Sequence, residues 1–172
     1  NCIVAFVSDH GTHLGDYGLV QKQTFFAPVV HVPFIFWSPG RIAPGLRHRN
    51  PVEIQSLLPT LLAMADLPPP TAACAPSLAP SLTNDREPRL RPVFSALKLQ
   101  SFAPHVRHEG RLVMVRHEGW KLSACLDPAV HDVTLHELRS DPLERTNRAA
   151  DPACRHPRES LLRLIAAQVG QA

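Results

Sequence analysis

The sequence predicts an α/β fold on the strength of three observations. Two short runs of β-branched and aromatic residues, residues 3–7 and 32–37, end in polar or turn-forming residues, as buried strands do. A Pro-rich segment follows them. Apolar runs then alternate with turn residues before a final amphipathic stretch. We therefore expect an α/β segment, a linker, and a small antiparallel sheet with a C-terminal helix.

Residues 1–66 are predicted to form the α/β segment. The run over residues 3–7 delivers Ser8, Asp9 and His10 to its carboxyl end, which is the edge where open α/β sheets bind ligands. Such central strands are expected to be parallel and to need cover on both faces, so this piece should expose apolar surface. A helix is predicted from about Val52, with Ser56 as a candidate internal cap.

Residues 67–92 are dense in proline, alanine and serine, which predicts a linker. Residues 93–172 then form a predicted subdomain, an antiparallel meander of three strands over residues 112–115, 120–125 and 135–138. Residues 157–169 are predicted to form a closing helix with a broad apolar face. Trp120 is interpreted as a buried strand aromatic, and the polar residues from Asp141 to Asn147 as turn chemistry.

Asp9 and His10 are the candidate metal ligands. A carboxylate oxygen and an imidazole nitrogen both bind divalent cations, and Gly11 can supply the turn that brings them together. Lys22 follows a loop containing two glycines and offers an ammonium group to an oxyanion held on that metal. The alternative is an ordinary strand-end turn with a capping aspartate and a surface histidine.

Two further residues of this loop are ambiguous from sequence. His13 either faces a substrate pocket or is a solvated loop histidine, and the chain has ten histidines in all. Asp16 is expected to brace the turn at Gly15 rather than to bind metal.

A set of short motifs occurs in one order and at compact spacing along nearly the whole chain. In chain order they are Ser8-Asp9-His10-Gly11, Leu14-Gly15-Asp16, Gly18-Leu19, Lys22, Phe25-Phe26, Val32-Pro33-Phe34-Ile35, Pro39-Gly40, Leu57-Leu58-Pro59-Thr60-Leu61-Leu62, Ser77-Leu78 with Pro80 and Leu82, Gly119-Trp120-Lys121-Leu122, Leu135-His136-Glu137-Leu138, and Ser140-Asp141-Pro142 with Glu144 and Asn147. In combination they resemble the sulfatase family of the alkaline-phosphatase superfamily.

This resemblance implies that residues 1–66 are the C-terminal part of an alkaline-phosphatase-like catalytic domain, and it implies hydrolysis of small-molecule or glycan sulfate esters. It implies that Asp9 and His10 bind a divalent metal, with calcium favoured and magnesium or manganese as alternatives. It also implies that Lys22 is catalytic and binds the sulfate, with His13 as a second substrate-binding candidate. The family's nucleophile is a formylglycine, made from the first residue of a Cys/Ser-x-Pro-x-Arg motif that lies upstream.

The chain departs from the family pattern at three places. The tempting nucleophile motif beginning at Cys74 has Leu78 where the arginine should be, and an acidic residue and an arginine are replaced by Ala27 and His31. We therefore expect a C-terminal fragment that is inactive alone. A phosphodiesterase or phosphonate monoester hydrolase of the same superfamily, or a non-catalytic interaction module, remain alternatives. Lys22 favours a sulfatase over the phosphoethanolamine transferases, which typically have His-Gly there.

Composition limits the remaining function classes. The net charge is only +3, aromatic residues make up 6% of the chain, and the arginines are scattered, so we expect no nucleic-acid partner. No apolar run is long enough to span a membrane, so we expect no membrane-spanning helix. Four cysteines allow three disulfide connectivities, and Cys2 is expected to be a small buried residue. Oligomeric state and compartment, cytoplasmic or periplasmic, stay open.

Overall fold

The computed structural model describes residues 2–71, 75–99, 110–127 and 129–170. The elements in chain order are β1 (Val4–Val7), β2 (His13–Leu14), β3 (Val20–Gln21), α1 (Ala27–Val30), β4 (Phe34–Trp37), α2 (Leu57–Met64), α3 (Ala79–Asn84), β5 (Val93–Leu99), β6 (Gly110–His117), β7 (Trp120–Cys125), β8 (His131–Glu137) and α4 (Arg155–Val169). They divide into two compact units. The first contains residues 1–11 and 31–90, and the second contains residues 12–30 and 91–172.

The first unit contains the two strands predicted around the candidate site. They pair with each other, with Val4 opposite Trp37 and Val7 opposite Phe34, so they run antiparallel. The expectation of parallel strands is therefore wrong here. An apolar run predicts that a strand is buried, but it carries no information about the direction of its neighbour.

One face of the β1–β4 pair is apolar and exposed. Residues opposite each other and two apart share a face of a sheet, which places four large side chains together. Their exposed fractions are 45% for Val4, 61% for Phe6, 56% for Ile35 and 57% for Trp37. The predicted exposure of apolar surface is confirmed at this face, which we call the apolar face.

The helix predicted from Val52 begins later, at Leu57, after a single 3₁₀ turn over Ile54–Ser56. Ser56 stands at the N-cap position but makes no capping hydrogen bond, so its predicted role is wrong. Its buried hydroxyl has no hydrogen-bond partner within the part of the chain that the structure describes. Thr60 makes the local contacts instead, because its hydroxyl donates to the Ser56 carbonyl and accepts from the Leu78 amide at 2.8 Å.

The Pro-rich segment is partly helical. α3 lies within it and has a proline in its first turn. Ala75 and Ser81 are buried, and the Ser81 carbonyl oxygen lies 3.2 Å from Nε2 of His48. This stretch therefore packs within the first unit. Cys74 falls outside the described residues.

The second unit is built on a four-stranded antiparallel sheet with the strands in chain order, β5-β6-β7-β8. The predicted meander is confirmed, and β5 is an additional strand that the sequence did not reveal. β6 and β7 are joined by a two-residue turn in which both residues have positive φ, 49° at Glu118 and 85° at Gly119. Positive φ at both positions matches the right-handed twist of the flanking strands.

α4 covers this sheet and confirms the predicted closing helix. Leu161 and Ile165 of the helix pack with Cys154 and the inward residues of β6, β7 and β8 in one core, which consists of Val113, Val115, Leu122, Ala124 and Leu135. Trp120 lies on β7 as predicted, half-buried against this core.

Three described cysteines, Cys2, Cys125 and Cys154, are free thiols. Cys2 is exposed, so its predicted burial is wrong, and it lies before the paired part of β1, which begins at Val4. None of the described helices is long and apolar enough to cross a bilayer.

Candidate functional site

The turn after β1 is held by its own polar groups. The Ser8 hydroxyl donates to the His10 carbonyl at 2.7 Å, and the His10 amide donates to Oδ1 of Asp9 at 2.8 Å. These short-range bonds replace the strand ladder where β1 ends. They present Asp9 and His10 on consecutive positions of a defined turn, as the sequence predicted.

The side chains of Asp9 and His10 converge. Oδ2 of Asp9 lies 3.4 Å from Nε2 of His10, and their side chains are 82% and 36% exposed. Nδ1 of His10 lies 2.7 Å from the Gly11 carbonyl oxygen, which can only accept, so Nδ1 carries the proton. In the neutral ring this leaves the lone pair on Nε2, beside the carboxylate. One cation could contact both atoms, because two metal–ligand bonds of about 2.0–2.5 Å can span their separation.

These two donors do not complete a metal site. Among the described residues, no group of three or more His, Cys, Asp or Glu side chains could hold an ion. Calcium takes about six to eight ligands and magnesium about six. Asp9 and His10 therefore fit a divalent cation in chemistry and geometry but supply only part of its coordination.

Lys22 follows β3 in the second unit, at the end of a tight hairpin. Gly15 and Gly18 adopt φ values of +110° and +70° in the turn, which other residues rarely adopt. Asp16 accepts a hydrogen bond from the Leu14 amide at 3.2 Å, which confirms its predicted bracing role. The Lys22 side chain is exposed. Asp9 and His10 belong to the first unit, whereas Lys22 and His13 belong to the second.

His13 is buried, with only 1% of the residue exposed. Its Nε2 lies 2.7 Å from the Thr24 hydroxyl, and its ring meets the rings of Tyr17 and Phe26 edge-on. The solvated-loop interpretation is therefore wrong, because the hairpin turns this side chain beneath two aromatic rings. A substrate-binding role for His13 stays a prediction, which the burial of the ring disfavours.

Comparison with known proteins decides the family. The family model described as Sulfatase matches residues 1–67. The choline-sulfatase of Rhizobium meliloti (strain 1021) is 37% identical over 157 residues, covering 87% of this chain and 27% of that relative. The chain belongs to the sulfatase family.

Solved structures confirm the predicted fold class of this chain. A 2-O GAG sulfatase superposes with a TM-score of 0.78 at 26% identity, covering 98% of this chain and 36% of that one. The phosphonate monoester hydrolase of Agrobacterium radiobacter also has a TM-score of 0.78, at 24% identity, with 98% and 35% covered. The chain thus spans about a third of the length of the proteins it matches.

Sequence reasoning missed a buried ion pair in the second unit. Nζ of Lys121 lies 2.8 Å and 2.7 Å from the two carboxylate oxygens of Glu144, and the side chains are only 6% and 3% exposed. Burial lowers the pKa of Lys121, and the neighbouring Glu144 carboxylate opposes that shift. The available signal was the position of Lys121 between apolar neighbours on a strand, because a buried lysine needs a carboxylate partner.

His136 was also missed as a buried titratable residue. It is 4% exposed, and its ring lies edge-on to Phe26 with the centroids 6.1 Å apart. Burial lowers the pKa of His136, while Glu144 and Asp141 raise it and Lys121 lowers it further. The lowered pKa means that burial favours the neutral form of the His136 ring.

Proposed function

We propose that this chain carries part of the active site of a metal-dependent sulfatase that hydrolyses sulfate esters of small molecules or glycans. The observation that supports this most is the convergence of Asp9 Oδ2 and His10 Nε2 at 3.4 Å, at the end of a strand inside the family match. Choline-sulfatase and the 2-O GAG sulfatase give the range of sulfate esters in question.

Asp9 and His10 would hold the divalent cation. Calcium is favoured by the family resemblance and by the Asp9 carboxylate, whereas the His10 imidazole keeps manganese as an alternative. A bound cation supplies Lewis-acid stabilisation of charge on the ester oxygens. The Gly11 carbonyl keeps Nδ1 protonated, so Nε2 of His10 is the atom available to it.

Lys22 would bind the sulfate oxygens. An ammonium on a flexible stem is a compact point charge that suits an oxyanion whose negative charge is spread over several atoms. The positive charge of Lys22 beside the sulfate would stabilise the transition state, in which negative charge builds on the leaving oxygen.

The 172-residue chain is proposed to be inactive on its own. Asp9 and His10 supply fewer ligands than a hard cation requires. The motif that begins at Cys74 has Leu78 where the family's nucleophile motif has arginine. The remaining ligands and the nucleophile would come from other polypeptide. A purified chain that cleaved an aryl sulfate in a metal-dependent way would contradict this.

A phosphonate monoester hydrolase is the second candidate. The solved enzyme of that activity has the same fold over 98% of this chain, and a metal with a lysine binds any tetrahedral oxyanion. A non-catalytic interaction module is the third, because the second unit has its own hydrophobic core.

A chimera tests these readings. Residues 1–172 replace the matching segment of the Rhizobium choline-sulfatase, and folding is checked by thermal unfolding. We expect hydrolysis of 4-nitrophenyl sulfate to exceed that of a 4-nitrophenyl phosphonate. Lys22→Ala should lower sulfate-ester kcat/KM by about 100-fold, as for the loss of a charge-stabilising donor. Gln23, the exposed residue next to Lys22, provides the control, because Gln23→Ala should leave sulfate-ester kcat/KM unchanged. Faster turnover of the phosphonate would favour the second candidate.

A further inference from the structure

The segment that carries Lys22 packs within the second unit. We call residues 12–30 the lysine loop; together with residues 91–172 it forms one compact body. The loop's own regular structure is small, a hairpin of two two-residue strands and the four-residue helix α1. Contacts to the rest of the unit must therefore hold it in place.

Aromatic rings form the centre of the lysine loop. Tyr17 and Phe26 stack with their centroids 4.5 Å apart and their planes 15° from parallel. His13 meets both rings edge-on, and the Thr24 hydroxyl holds its Nε2. Residues on both sides of Lys22 are thereby joined, so a movement of this cluster would move the lysine.

Two contacts attach the cluster to the rest of the unit, one to β8 and one to the turn that follows it. The Phe26 ring packs on His136, and the Tyr17 hydroxyl donates to the Leu143 carbonyl at 2.8 Å. The second contact bridges 126 positions in sequence and ends on a backbone atom, so it depends on the shape of the turn around Leu143.

That turn is fixed by the buried ion pair. Glu144 has a φ of 53°, a conformation that L-residues adopt at a cost. Both oxygens of its carboxylate accept hydrogen bonds from the Lys121 ammonium of β7. Asp141 in the same turn accepts hydrogen bonds from the Arg145 and Thr146 amides. The ion pair between Lys121 of β7 and Glu144 therefore sets the orientation of the neighbouring Leu143 carbonyl.

We propose that Tyr17 is a positioning residue, whose hydrogen bond to the Leu143 carbonyl fixes the lysine loop and thereby the placement of Lys22. Lys121 and Glu144 act one step behind it by holding the turn. The effect on catalysis rests on the proposed function of Lys22; the anchoring itself does not.

Hydrogen exchange tests the anchoring on the 172-residue chain. Tyr17→Phe removes the hydroxyl and keeps the stacked ring, so the fold should persist. We expect amides of the lysine loop to exchange about 2- to 10-fold faster, as for the loss of one neutral hydrogen bond, with β6 and β7 unchanged. The control is Leu14→Ser, at a residue 88% exposed in the same hairpin, which should change neither. Unchanged exchange in the Tyr17 variant, or equal acceleration across the sheet, would overturn the anchoring.

A double-mutant cycle in the chimera tests the positioning of Lys22. Tyr17→Phe should lower sulfate-ester kcat/KM by about 3- to 10-fold when Lys22 is present and have no effect in the Lys22→Ala background. The same loss in both backgrounds would overturn positioning through Lys22. If Lys22→Ala alone leaves turnover unchanged, the proposed function of Lys22 fails, and the exchange experiment still decides the anchoring.

Discussion

At the scale of single residues, Glu144 stabilises the second unit because it neutralises a lysine that folding removes from water. Both of its oxygens lie within 2.8 Å of the Lys121 ammonium. A buried pair gains little over an apolar replacement, but the loss of one partner leaves an uncompensated charge.

Glu144→Gln should therefore destabilise the second unit by about 3–5 kcal/mol, whereas replacing both partners, Lys121→Met with Glu144→Leu, should recover most of that loss. Urea unfolding in a Trp37→Phe background measures it, because Trp120 then reports on the second unit alone. The matched control is Glu159→Gln, which breaks the exposed Arg155–Glu159 pair on α4 and should cost far less than Glu144→Gln, because water screens that pair. Equal losses for the two single variants would contradict the account.

His136 should make the second unit less stable in mild acid. Burial lowers the pKa of the folded His136 below its ordinary value of 6.5, so the unfolded chain binds the proton more readily. The free energy of unfolding therefore falls as pH drops below about 6.5, by up to about 1.4 kcal/mol per pH unit. His136→Tyr should flatten this slope between about pH 7.5 and about pH 5. Parallel pH profiles for the two proteins would show that His136 is not the titrating group.

Local chemistry explains which residues the sequence could predict. The hydrogen bonds of Asp9, His10 and Asp16 join residues only one or two positions apart. Their turns could therefore be predicted from the order of residues in the sequence. His13 was misjudged because the Tyr17 ring reaches it only once the loop has folded. Glu144 was misjudged because its partner, Lys121, lies on a strand distant in sequence.

At the scale of elements, the β6–β7 turn depends on one glycine. Gly119 has a φ of 85°, and a Cβ there would lie 3.0 Å from Nε of Arg139. Gly119→Ala should cost about 1–2 kcal/mol, chiefly from backbone strain. Gly170→Ala at the end of α4, where φ is −73°, should change stability by less than about 0.5 kcal/mol. Chemical unfolding of both variants measures this, and a neutral Gly119 variant would refute the strain argument.

Periodicity located the long elements but not their neighbours. α4 and β6 to β8 were predictable because their apolar residues repeat at the spacing of one buried face. β5 and α3 were missed because they lie beside or inside proline-rich sequence, where a local reading favours loops. The antiparallel pairing of β1 with β4 is a tertiary feature that no local pattern encodes.

At the scale of the whole molecule, we expect the apolar face to promote self-association. Four neighbouring large side chains, each at least 45% exposed, form a contiguous patch next to two strand edges. Phe6→Ser with Trp37→Ser should raise the concentration at which the 172-residue chain begins to self-associate, by several-fold. Leu90→Ser with Leu143→Ser removes apolar residues of similar exposure elsewhere and serves as the control. Light scattering against concentration measures both, and equal shifts would contradict a specific role for this face.

The metal dependence of the chimera tests the central claim most directly. Sulfate-ester turnover is measured against calcium concentration for the parent chimera, for Asp9→Asn, and for Asp16→Asn as a control from the adjacent turn. The account predicts that Asp9→Asn lowers turnover by more than about 100-fold and raises the calcium needed for half-maximal activity, whereas Asp16→Asn leaves the calcium requirement near that of the parent. An Asp9→Asn chimera with the parent's activity and calcium requirement would show that this residue binds no metal, and the proposed site would be wrong.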